Sequence, residues 1–249
     1  MLACFAVCMK RGKCALVETI KVCAVLLCAG RGLRMNSSTP KQFMLLAGKP
    51  LLVWAAQVLD ASEHVDSIVI VAPEQDEGID ALCDRYSIKK VAAIVVGGAT
   101  RQQSVCNALK AVPKNCGLVL VHDAARPFLS EKMIEDTVIA AAIHGAVLTA
   151  VPSSDCLKLV DAERSVQATL DRSSIWRAQT PQVFNRQILE AAHERFGHNP
   201  EPAADDAELV ERLGHRVFIV HGSERNIKVT TPEDWALALA LATCEEATR

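Results

Sequence analysis

Residues 22–35, VCAVLLCAGRGLRM, decide the class of fold. The first seven residues are apolar without interruption, which is typical of a parallel-sheet strand covered on both faces. The run then breaks into Gly30 and Gly32, which allow positive φ or a close approach of the backbone to a ligand. Arg31 and Arg34 add positive charge at the carboxyl end of the strand, where open α/β sheets bind ligands. The stretch therefore predicts a buried strand that ends in an anion-binding loop.

Apolar runs alternate with amphipathic stretches from this strand to about residue 150. The predicted strands are 22–28, 67–72, 91–96, 117–122 and 146–151. The predicted helices are 50–60, 76–86, 101–111 and 130–144. Further helices are expected near 185–196, near 205–213 and from about 232, with a strand at 216–221. The alternation predicts an α/β protein with a three-layer, Rossmann-like fold and a mostly parallel sheet.

The alternation fails between Pro152 and Pro181. Two short apolar segments flank the turn at 161–164, which predicts a β-hairpin. An isolated hairpin is marginal in water, so it must lie on its own domain or reach a second subunit. We expect this arm to span 152–175 within a domain at 22–246, preceded by a disordered N-terminal extension at 1–21.

Charge argues against nucleic acid as a partner. The 249 residues include 27 lysines and arginines against 29 aspartates and glutamates, for a formal net charge of −2. A general nucleic-acid binder carries a basic excess. The apolar part of the first twenty residues is too short to span a membrane, and its basic cluster at 10–13 follows it, the reverse of a secretory signal. We expect no membrane partner.

The ten cysteines do not form a recognisable framework. None belongs to a CxxC pair, which argues against a structural zinc site. Several lie in apolar patterns, where a free thiol behaves as a small hydrophobe; these are Cys23, Cys28, Cys83, Cys106 and Cys116. Buried, reduced thiols favour a cytoplasmic location.

The glycine loop belongs to neither of the two common phosphate-binding motifs. No Gly-Lys-Ser/Thr follows it, as a P-loop requires. Met35 stands where a dinucleotide fingerprint has its third glycine. AGRGLRM at 29–35, followed by PKQF at 40–43 and GKPL at 48–51, resembles instead the nucleotidyltransferases that join a nucleoside triphosphate to a phosphorylated sugar or polyol.

That resemblance agrees with the chemistry of the residues. A triphosphate needs N–H groups in a concavity and cations for the charge that develops on transfer. Gly30 and Gly32 would supply the N–H groups, and Arg34 and Lys41 would supply the cations.

A third motif, VLVHDAARPFLS at 119–130, places Asp123 directly after an apolar strand. Its carboxylate should lie at the same sheet edge as Gly30, and hard carboxylate oxygens suit Mg²⁺. A helix N-cap is the structural alternative, but Arg126 three residues later favours a phosphate site. We expect His122 to pack in the strand and not to bind a ligand.

Two further motifs complete the candidate site. GGATRQQSV at 97–105 opens a helix, whose first N–H groups can bind a nucleotide. NIKVT at 226–230 places Lys228 in a predicted strand just before the last helix, where it has no evident structural role.

With LDRSSIWRAQTPQVF at 170–184 and ADDAELV at 204–210, these motifs follow one another in the order found in the 2-C-methyl-D-erythritol 4-phosphate cytidylyltransferase family. The resemblance extends from about residue 22 to 242. It implies transfer of a cytidylyl group from CTP to methylerythritol phosphate, release of pyrophosphate and a requirement for Mg²⁺. It also implies a homodimer in which the β-hairpin arm crosses to the partner, so that the active sites are shared.

The resemblance assigns roles to particular residues. The catalytic residues would be Arg34, Lys41 and Lys228. The nucleotide would be bound by Cys28, Ala29, Gly30, Gly32, Gly98, Arg101 and Ser104. The polyol phosphate would be bound by Arg126, Cys156, Arg172 and Lys228. Asp123 would bind the metal.

Three positions depart from the family pattern. Ala99 replaces a frequent acidic residue, and Cys156 and Ala204 each replace a frequent threonine. Two alternative functions remain open: a ribitol-5-phosphate cytidylyltransferase, and a regulator that binds a nucleotide without turning it over. The segment 170–176 and the alanines of DAARP favour methylerythritol phosphate over ribitol phosphate.

Overall fold

The computed structural model of the chain describes residues 20–30, 32, 35, 40–75, 78–197 and 203–247. Its strands are β1 (Lys21–Leu27), β2 (Leu45–Leu46), β3 (Lys49–Pro50), β4 (Ser67–Ala72), β5 (Val91–Val96), β6 (Cys116–Asp123), β7 (Ala146–Pro152), β8 (Lys158–Val160), β9 (Val166–Thr169), β10 (Trp176–Asn185) and β11 (Phe218–His221). Its α-helices are α1 (Leu51–Ala61), α2 (Ile79–Arg85), α3 (Arg101–Ala111), α4 (Glu131–His144), α5 (Arg186–Phe196), α6 (Asp206–Arg212) and α7 (Pro232–Ala247). Arg34 and nearly all of the expected N-terminal extension lie outside the described residues.

Seven strands form the central sheet, in the order β11-β7-β10-β6-β1-β4-β5. β1 pairs in parallel with β4 and β6, β4 with β5, and β11 with β7. β10 alone is antiparallel to both of its neighbours, β6 and β7. The predicted α/β fold with a mostly parallel sheet is confirmed.

Both faces of the sheet are buried, which explains the uninterrupted apolar run of β1. Val22, Ala24 and Leu26 belong to the apolar layer that also contains α1 and α4. Cys23 and Val25 belong to the opposite layer, which contains α3, α5 and α6. Successive residues of a strand point to opposite faces, so a strand between two helical layers must be apolar at every position.

β10 was not among the predicted strands. Pro181 lies inside it, and proline is normally confined to edge strands and bulges because it cannot donate a ladder hydrogen bond. The pairing of β10 with β7 shifts register between Ala178 and Gln182, which places the proline in the irregular part of the ladder. The shift in the β10–β7 hydrogen-bond ladder therefore lets a central strand contain a proline.

The predicted hairpin is present as β8 and β9, which pair antiparallel in a sheet of their own. Every residue of both strands is exposed. Its exposed apolar side chains are Leu159, Val160, Val166 and, just beyond β9, Leu170. Within one chain, nothing among the described residues covers this apolar surface.

Lys228 was expected in a strand, but that prediction is wrong, because residues 222–231 contain no strand. No helix within the described ranges is both long enough and apolar enough to cross a membrane.

Candidate active site

A cavity of about 810 Å³ opens at the carboxyl ends of β1 and β6, beside the N-terminus of α3. Parallel strands bring their carboxyl ends to one edge of the sheet, so loops distant in sequence meet there. The cavity is lined by Leu27, Cys28, Ala29, Gly30, Gly32, Lys41, Gln42, Leu51, Gly98, Ala99, Thr100, Arg101, Ser104, Asp123, Ala124, Ala125, Lys228 and Thr230. Ten of these are site residues predicted from the sequence.

A second cavity of about 570 Å³ adjoins the first and shares Ala29, Gly30 and Gly98 with it. Its wall requires glycine at two positions. A Cβ on Gly97 would lie 2.4 Å from the Cβ of Ala29, and a Cβ on Gly98 would lie 2.3 Å from the Cβ of Gln103. The two glycines are therefore needed for close packing of this loop against β1 and α3.

The loop before α3 is held by side chains of the helix that it precedes. The Gly98 N–H donates to Ser104 Oγ at 3.0 Å, and the Ala99 N–H donates to Gln103 Oε1 at 3.0 Å. Thr100 caps α3 by accepting a hydrogen bond from the Gln103 N–H. Ser104, predicted to contact the nucleotide, thus also fixes the wall of the cavity.

The Lys41 side chain packs against Gly32. Gly32 has φ of +60°, a left-handed conformation that favours glycine, and a Cβ there would lie 3.2 Å from Lys41 Cγ. The Lys41 Nζ donates to the carbonyl of Val229 at 2.9 Å, which brings the lysine to the segment that carries Lys228. Both predicted catalytic lysines therefore line one cavity.

The Asp123 carboxylate is held between two cations. Its Oδ2 lies 2.6 Å from Lys228 Nζ, and its Oδ1 lies 3.4 Å from Arg101 Nε. Burial acts to raise the pKa of Asp123, but Arg101 and Lys228 outweigh burial and hold that pKa well below its ordinary value. Asp123 is therefore ionised and presents hard carboxylate oxygens at the edge of the cavity.

Arg101 binds two carboxylates at once. Besides Asp123 it pairs with Asp206, whose Oδ2 lies 2.7 Å from Arg101 Nη1. The Asp206 side chain is completely buried. Arg101, predicted to bind the nucleotide, thus lines the cavity while its guanidinium engages two protein carboxylates.

His122 does more than pack in the strand, which is the only role that the sequence predicted for it. It is fully buried, and burial lowers its pKa to about 4. Its Nε2 lies 3.0 Å from the carbonyl of Arg126 and its Nδ1 lies 3.0 Å from Thr180 Oγ1. Because a carbonyl can only accept, the neutral ring donates from Nε2 and accepts the Thr180 hydroxyl proton at Nδ1.

The same hydroxyl fixes Asp123. The Asp123 N–H donates to Thr180 Oγ1 at 3.1 Å, so one chain of hydrogen bonds joins Asp123, Thr180, His122 and Arg126. This network holds the turn between the predicted metal ligand and the predicted phosphate ligand.

The Arg126 guanidinium is held by backbone carbonyls. Its Nη1 donates to the carbonyl of Asn226 at 2.7 Å, and its Nη2 donates to that of Ala178 at 3.4 Å. Buried Asn226 in turn donates from Nδ2 to Gln179 Oε1 at 3.2 Å and to the carbonyl of Thr180 at 2.9 Å. No local pattern marked Thr180, Gln179 or Asn226 as supporting residues, although all three lie within the motifs TPQVF and NIKVT or directly before them.

Three predicted polyol ligands do not line the cavity. Arg126 lies beside it, whereas Cys156 and Arg172 are exposed at the base of the arm. The Arg172 Nη1 donates to the carbonyl of Ser154 at 3.5 Å. Within a single chain, these three predicted polyol ligands therefore do not join the residues that line the cavity.

Asp123 offers the type of oxygen donor that a divalent cation uses when phosphates complete its coordination. Within the described ranges, no group of three or more His, Cys, Asp or Glu residues could hold a metal ion. Mg²⁺ is commonly bound by one or two carboxylates together with substrate phosphates and water. Asp123 meets that requirement.

Known proteins resemble this chain over nearly its whole length. A family profile described as 2-C-methyl-D-erythritol 4-phosphate cytidylyltransferase matches residues 22–243. A relative of that name from Syntrophus aciditrophicus is 42% identical over 228 residues, covering 91% of this chain and 97% of the relative. Another, from Pelotomaculum thermopropionicum, is 45% identical over 223 residues, covering 89% and 94%.

Solved structures agree with this similarity. The 4-diphosphocytidyl-2C-methyl-D-erythritol synthase from Anaerococcus prevotii has a TM-score of 0.82 and 31% identity, covering 92% of this chain and 99% of that one. The 2-C-methyl-D-erythritol 4-phosphate cytidylyltransferase from Thermus thermophilus has a TM-score of 0.72 and 33% identity, covering 88% and 98%.

Proposed function

The chain belongs to the 2-C-methyl-D-erythritol 4-phosphate cytidylyltransferase family, and from this membership we propose how its residues divide the work of the reaction. The enzyme transfers the cytidylyl group of CTP to 2-C-methyl-D-erythritol 4-phosphate in isoprenoid biosynthesis. An oxygen of the polyol phosphate attacks the α-phosphorus of CTP, the bond to the β-phosphate breaks, and pyrophosphate leaves. Such a transfer depends on positioning and on neutralisation of charge.

The observation that carries our assignment is the group of charges at the larger cavity. Asp123 lies between Lys228 and Arg101, and Lys41 also lines the cavity. In our proposal Lys41, together with Arg34, holds the triphosphate and stabilises the charge that develops on it. Lys228 binds the polyol phosphate at the place where that phosphate attacks the α-phosphate of CTP.

We assign Mg²⁺ to Asp123. The ionised carboxylate is a ligand of the type that Mg²⁺ prefers, and the triphosphate and water would complete the coordination. When bound, the cation would neutralise charge on the phosphates. The Lys228 Nζ donates to Asp123 Oδ2 at 2.6 Å. The lysine is therefore already beside the carboxylate that would bind the cation.

The smaller cavity suits the cytosine and ribose. Gly97 and Gly98 keep its wall close to β1, and Ser104 holds that wall through the Gly98 N–H. In this proposal the nucleotide site spans both cavities and is formed by Cys28, Ala29, Gly30, Gly32, Gly98, Arg101 and Ser104. Ala99 offers no carboxylate to the ribose.

We test the substrate assignment by measuring pyrophosphate release with CTP, ATP or GTP, each with methylerythritol phosphate or ribitol 5-phosphate. We expect turnover only with CTP, and faster turnover with methylerythritol phosphate. Equal turnover of all three nucleotides would contradict a cytidine-specific site. Faster turnover of ribitol phosphate would favour the alternative cytidylyltransferase.

We also propose that the arm joins two chains. Its exposed apolar residues, among them Leu159 and Val166, need a cover that one chain does not provide among the described residues. A two-fold dimer would cover them and would bring Cys156 and Arg172 to the partner's cavity. The planar guanidinium of Arg172 suits a phosphate at a subunit boundary. A cytoplasmic location stays a prediction of the sequence.

Subunit exchange tests the shared site. Two inactive variants, Lys41→Ala and Arg172→Ala, are mixed in equal amounts and allowed to exchange. If Arg172 acts on the partner's site, half of the dimers are mixed and half of their sites are intact, so roughly a quarter of wild-type activity returns. If Arg172 acts within its own chain, activity stays at the background of the separate variants. Mixing Lys41→Ala with Lys228→Ala is the control, because both residues line one cavity and no mixed site is intact.

A further inference from the structure

A cysteine, a histidine and an aspartate form a line on the face of the sheet that carries α3, α5 and α6. Cys106 Sγ lies 3.3 Å from His193 Nδ1, and His193 Nε2 lies 2.9 Å from Asp206 Oδ1. The His193 and Asp206 side chains are 2% and 0% exposed, so these contacts are shielded from water. Cys106 itself is only half-buried, so the prediction of a buried thiol is wrong at this position.

The order of the contacts assigns the protons. A carboxylate can only accept, so His193 donates its Nε2 proton to Asp206. In the neutral ring, Nδ1 then carries the lone pair that faces Cys106, and it can accept the thiol proton. The resulting imidazolium would lie between a thiolate and a carboxylate, an arrangement that activates cysteine as a nucleophile.

The charges around His193 favour its protonated form. Burial lowers the pKa of His193, but hydrogen bonds to Asp206 and Cys106 outweigh burial and raise that pKa to about 9. The titratable groups that face His193 are the Asp206 carboxylate on α6 and the Cys106 thiol on α3, and the Arg101 guanidinium lies behind Asp206. At neutral pH the imidazolium is therefore the favoured form of the ring, which is the form reached when the Cys106 proton passes to Nδ1.

We propose that Cys106 is a modification site, at which the thiol primed by His193 exchanges with a low-molecular-weight disulfide. The Cys106 sulfur attacks one sulfur of the disulfide, a new S–S bond to Cys106 forms, and the original S–S bond breaks. Cys106 is oxidised and the departing sulfur is reduced to a thiolate. The proton that left Cys106 passes to His193 and then to the departing thiolate.

The position of the cluster connects it to the active site. Asp206 joins His193 to Arg101, and Arg101 joins Asp206 to Asp123 at the cavity. The Cys106 sulfur lies close to the C-terminal end of α5, because a Cβ on Gly197 would lie 2.8 Å from its Sγ. A group added to the sulfur would therefore press on His193 or on the end of α5. The displacement would be transmitted through Asp206 to the arginine that holds Asp123.

The first test uses the wild-type protein and does not depend on enzyme activity. The protein is treated with iodoacetamide between pH 6 and 9, and alkylation of each cysteine is followed by peptide mass spectrometry. A model cysteine peptide with an ordinary thiol should slow about tenfold for each unit below pH 8. We expect the Cys106 rate to fall less than about threefold between pH 8 and 7. A decline as steep as that of the model peptide would overturn the proposal.

A variant then tests the role of the histidine. His193→Gln can keep a donor toward Asp206 but cannot take up the thiol proton. It should restore the steep pH dependence at Cys106. His144→Gln, which alters a helix histidine stacked on Phe218, is the control and should leave the Cys106 profile unchanged. A flat profile in folded His193→Gln protein would show that His193 does not activate the thiol.

The disulfide itself is tested with bis(2-hydroxyethyl) disulfide at neutral pH. We expect a mixed disulfide at Cys106, a several-fold loss of pyrophosphate release and recovery with dithiothreitol. Untreated Cys106→Ser should remain active, and its activity should resist the disulfide. Lack of a mixed disulfide at Cys106 would refute the site. A modified enzyme with full activity would refute its connection to Asp123, whereas inactivity of the untreated enzyme would count only against the proposed function.

Discussion

Asp123 and Asp206 both pair with Arg101, yet they lie in opposite surroundings. The Asp123 side chain is 10% exposed, lines the cavity and has as its other partner Lys228, whose side chain is 42% exposed. The Asp206 side chain is 0% exposed, and its other partner is the buried His193. A carboxylate at a cavity can exchange a lysine for a ligand, whereas a sealed carboxylate cannot. Access to partners from outside the protein, more than charge pairing itself, therefore distinguishes a candidate functional residue from a structural one.

The histidines beside these two carboxylates differ in the same way. His122 and His193 are both buried, but the pKa of His122 is lowered to about 4 and that of His193 is raised to about 9. The contacts of His122 are a carbonyl and a hydroxyl, so burial prevails. His193 contacts a carboxylate, which outweighs burial. Burial alone does not determine the charge of either ring.

The largest effect is expected from Asp123→Asn. The neutral amide removes an anionic metal ligand, so pyrophosphate release should fall by at least about a thousandfold. Far-ultraviolet circular dichroism should be unchanged, because Arg101 keeps Asp206 as a partner. Asp136→Asn, which alters an exposed carboxylate paired with Lys132, is the control and should retain activity. An active Asp123→Asn enzyme would remove Asp123 from the proposed metal site.

Asp206→Asn should act on stability instead. Removing one member of a buried ion pair leaves Arg101 and His193 less compensated, which should lower the free energy of unfolding by about 3 kcal/mol. Urea titration of this variant, with Asp136→Asn again as the control, measures the loss. If Asp206→Asn were as stable as the wild type, the buried Asp206 would not contribute to stability, and its contrast with Asp123 would be wrong.

The smallest effects are the pH dependences of the two histidines. The raised pKa of His193 stabilises the fold below pH 6.5, and this contribution is lost as pH rises through about 9. The lowered pKa of His122 makes the protein lose stability as pH falls from 6.5 through about 4. His193→Gln should therefore flatten the alkaline side of the stability profile, and His122→Asn the acid side.

Urea unfolding in metal-free buffer across this pH range measures both profiles. His144→Gln controls for the loss of a histidine as such. If His193→Gln and His122→Asn flattened the same side of the plot of stability against pH, the contrast between the two histidines would be wrong.

Much of the fold is encoded in local patterns. The apolar run 22–28, the glycines after it and the alternation of later runs predicted β1, the neighbouring parallel strands and the helices, because strand and helix periodicity are properties of short segments. The position of Asp123 at the carboxyl end of β6 was predictable for the same reason, since strand ends in a parallel sheet share one edge. β10 was not predictable from local patterns. Pro181 argues against a central strand unless the ladder shifts register around the proline, as it does here.

By itself, the sequence determined the class of fold, the glycine loop and the types of residue at the cavity, since its motifs keep the order found in the family. Only the tertiary structure decided which partners those residues have. The Arg101 guanidinium bridges Asp123 and Asp206, and Thr180 joins His122 to the Asp123 backbone, although tens of residues separate these groups in the chain. Hydrogen bonds and ion pairs act over a few ångströms, and no local pattern records which distant segments the sheet brings within that distance.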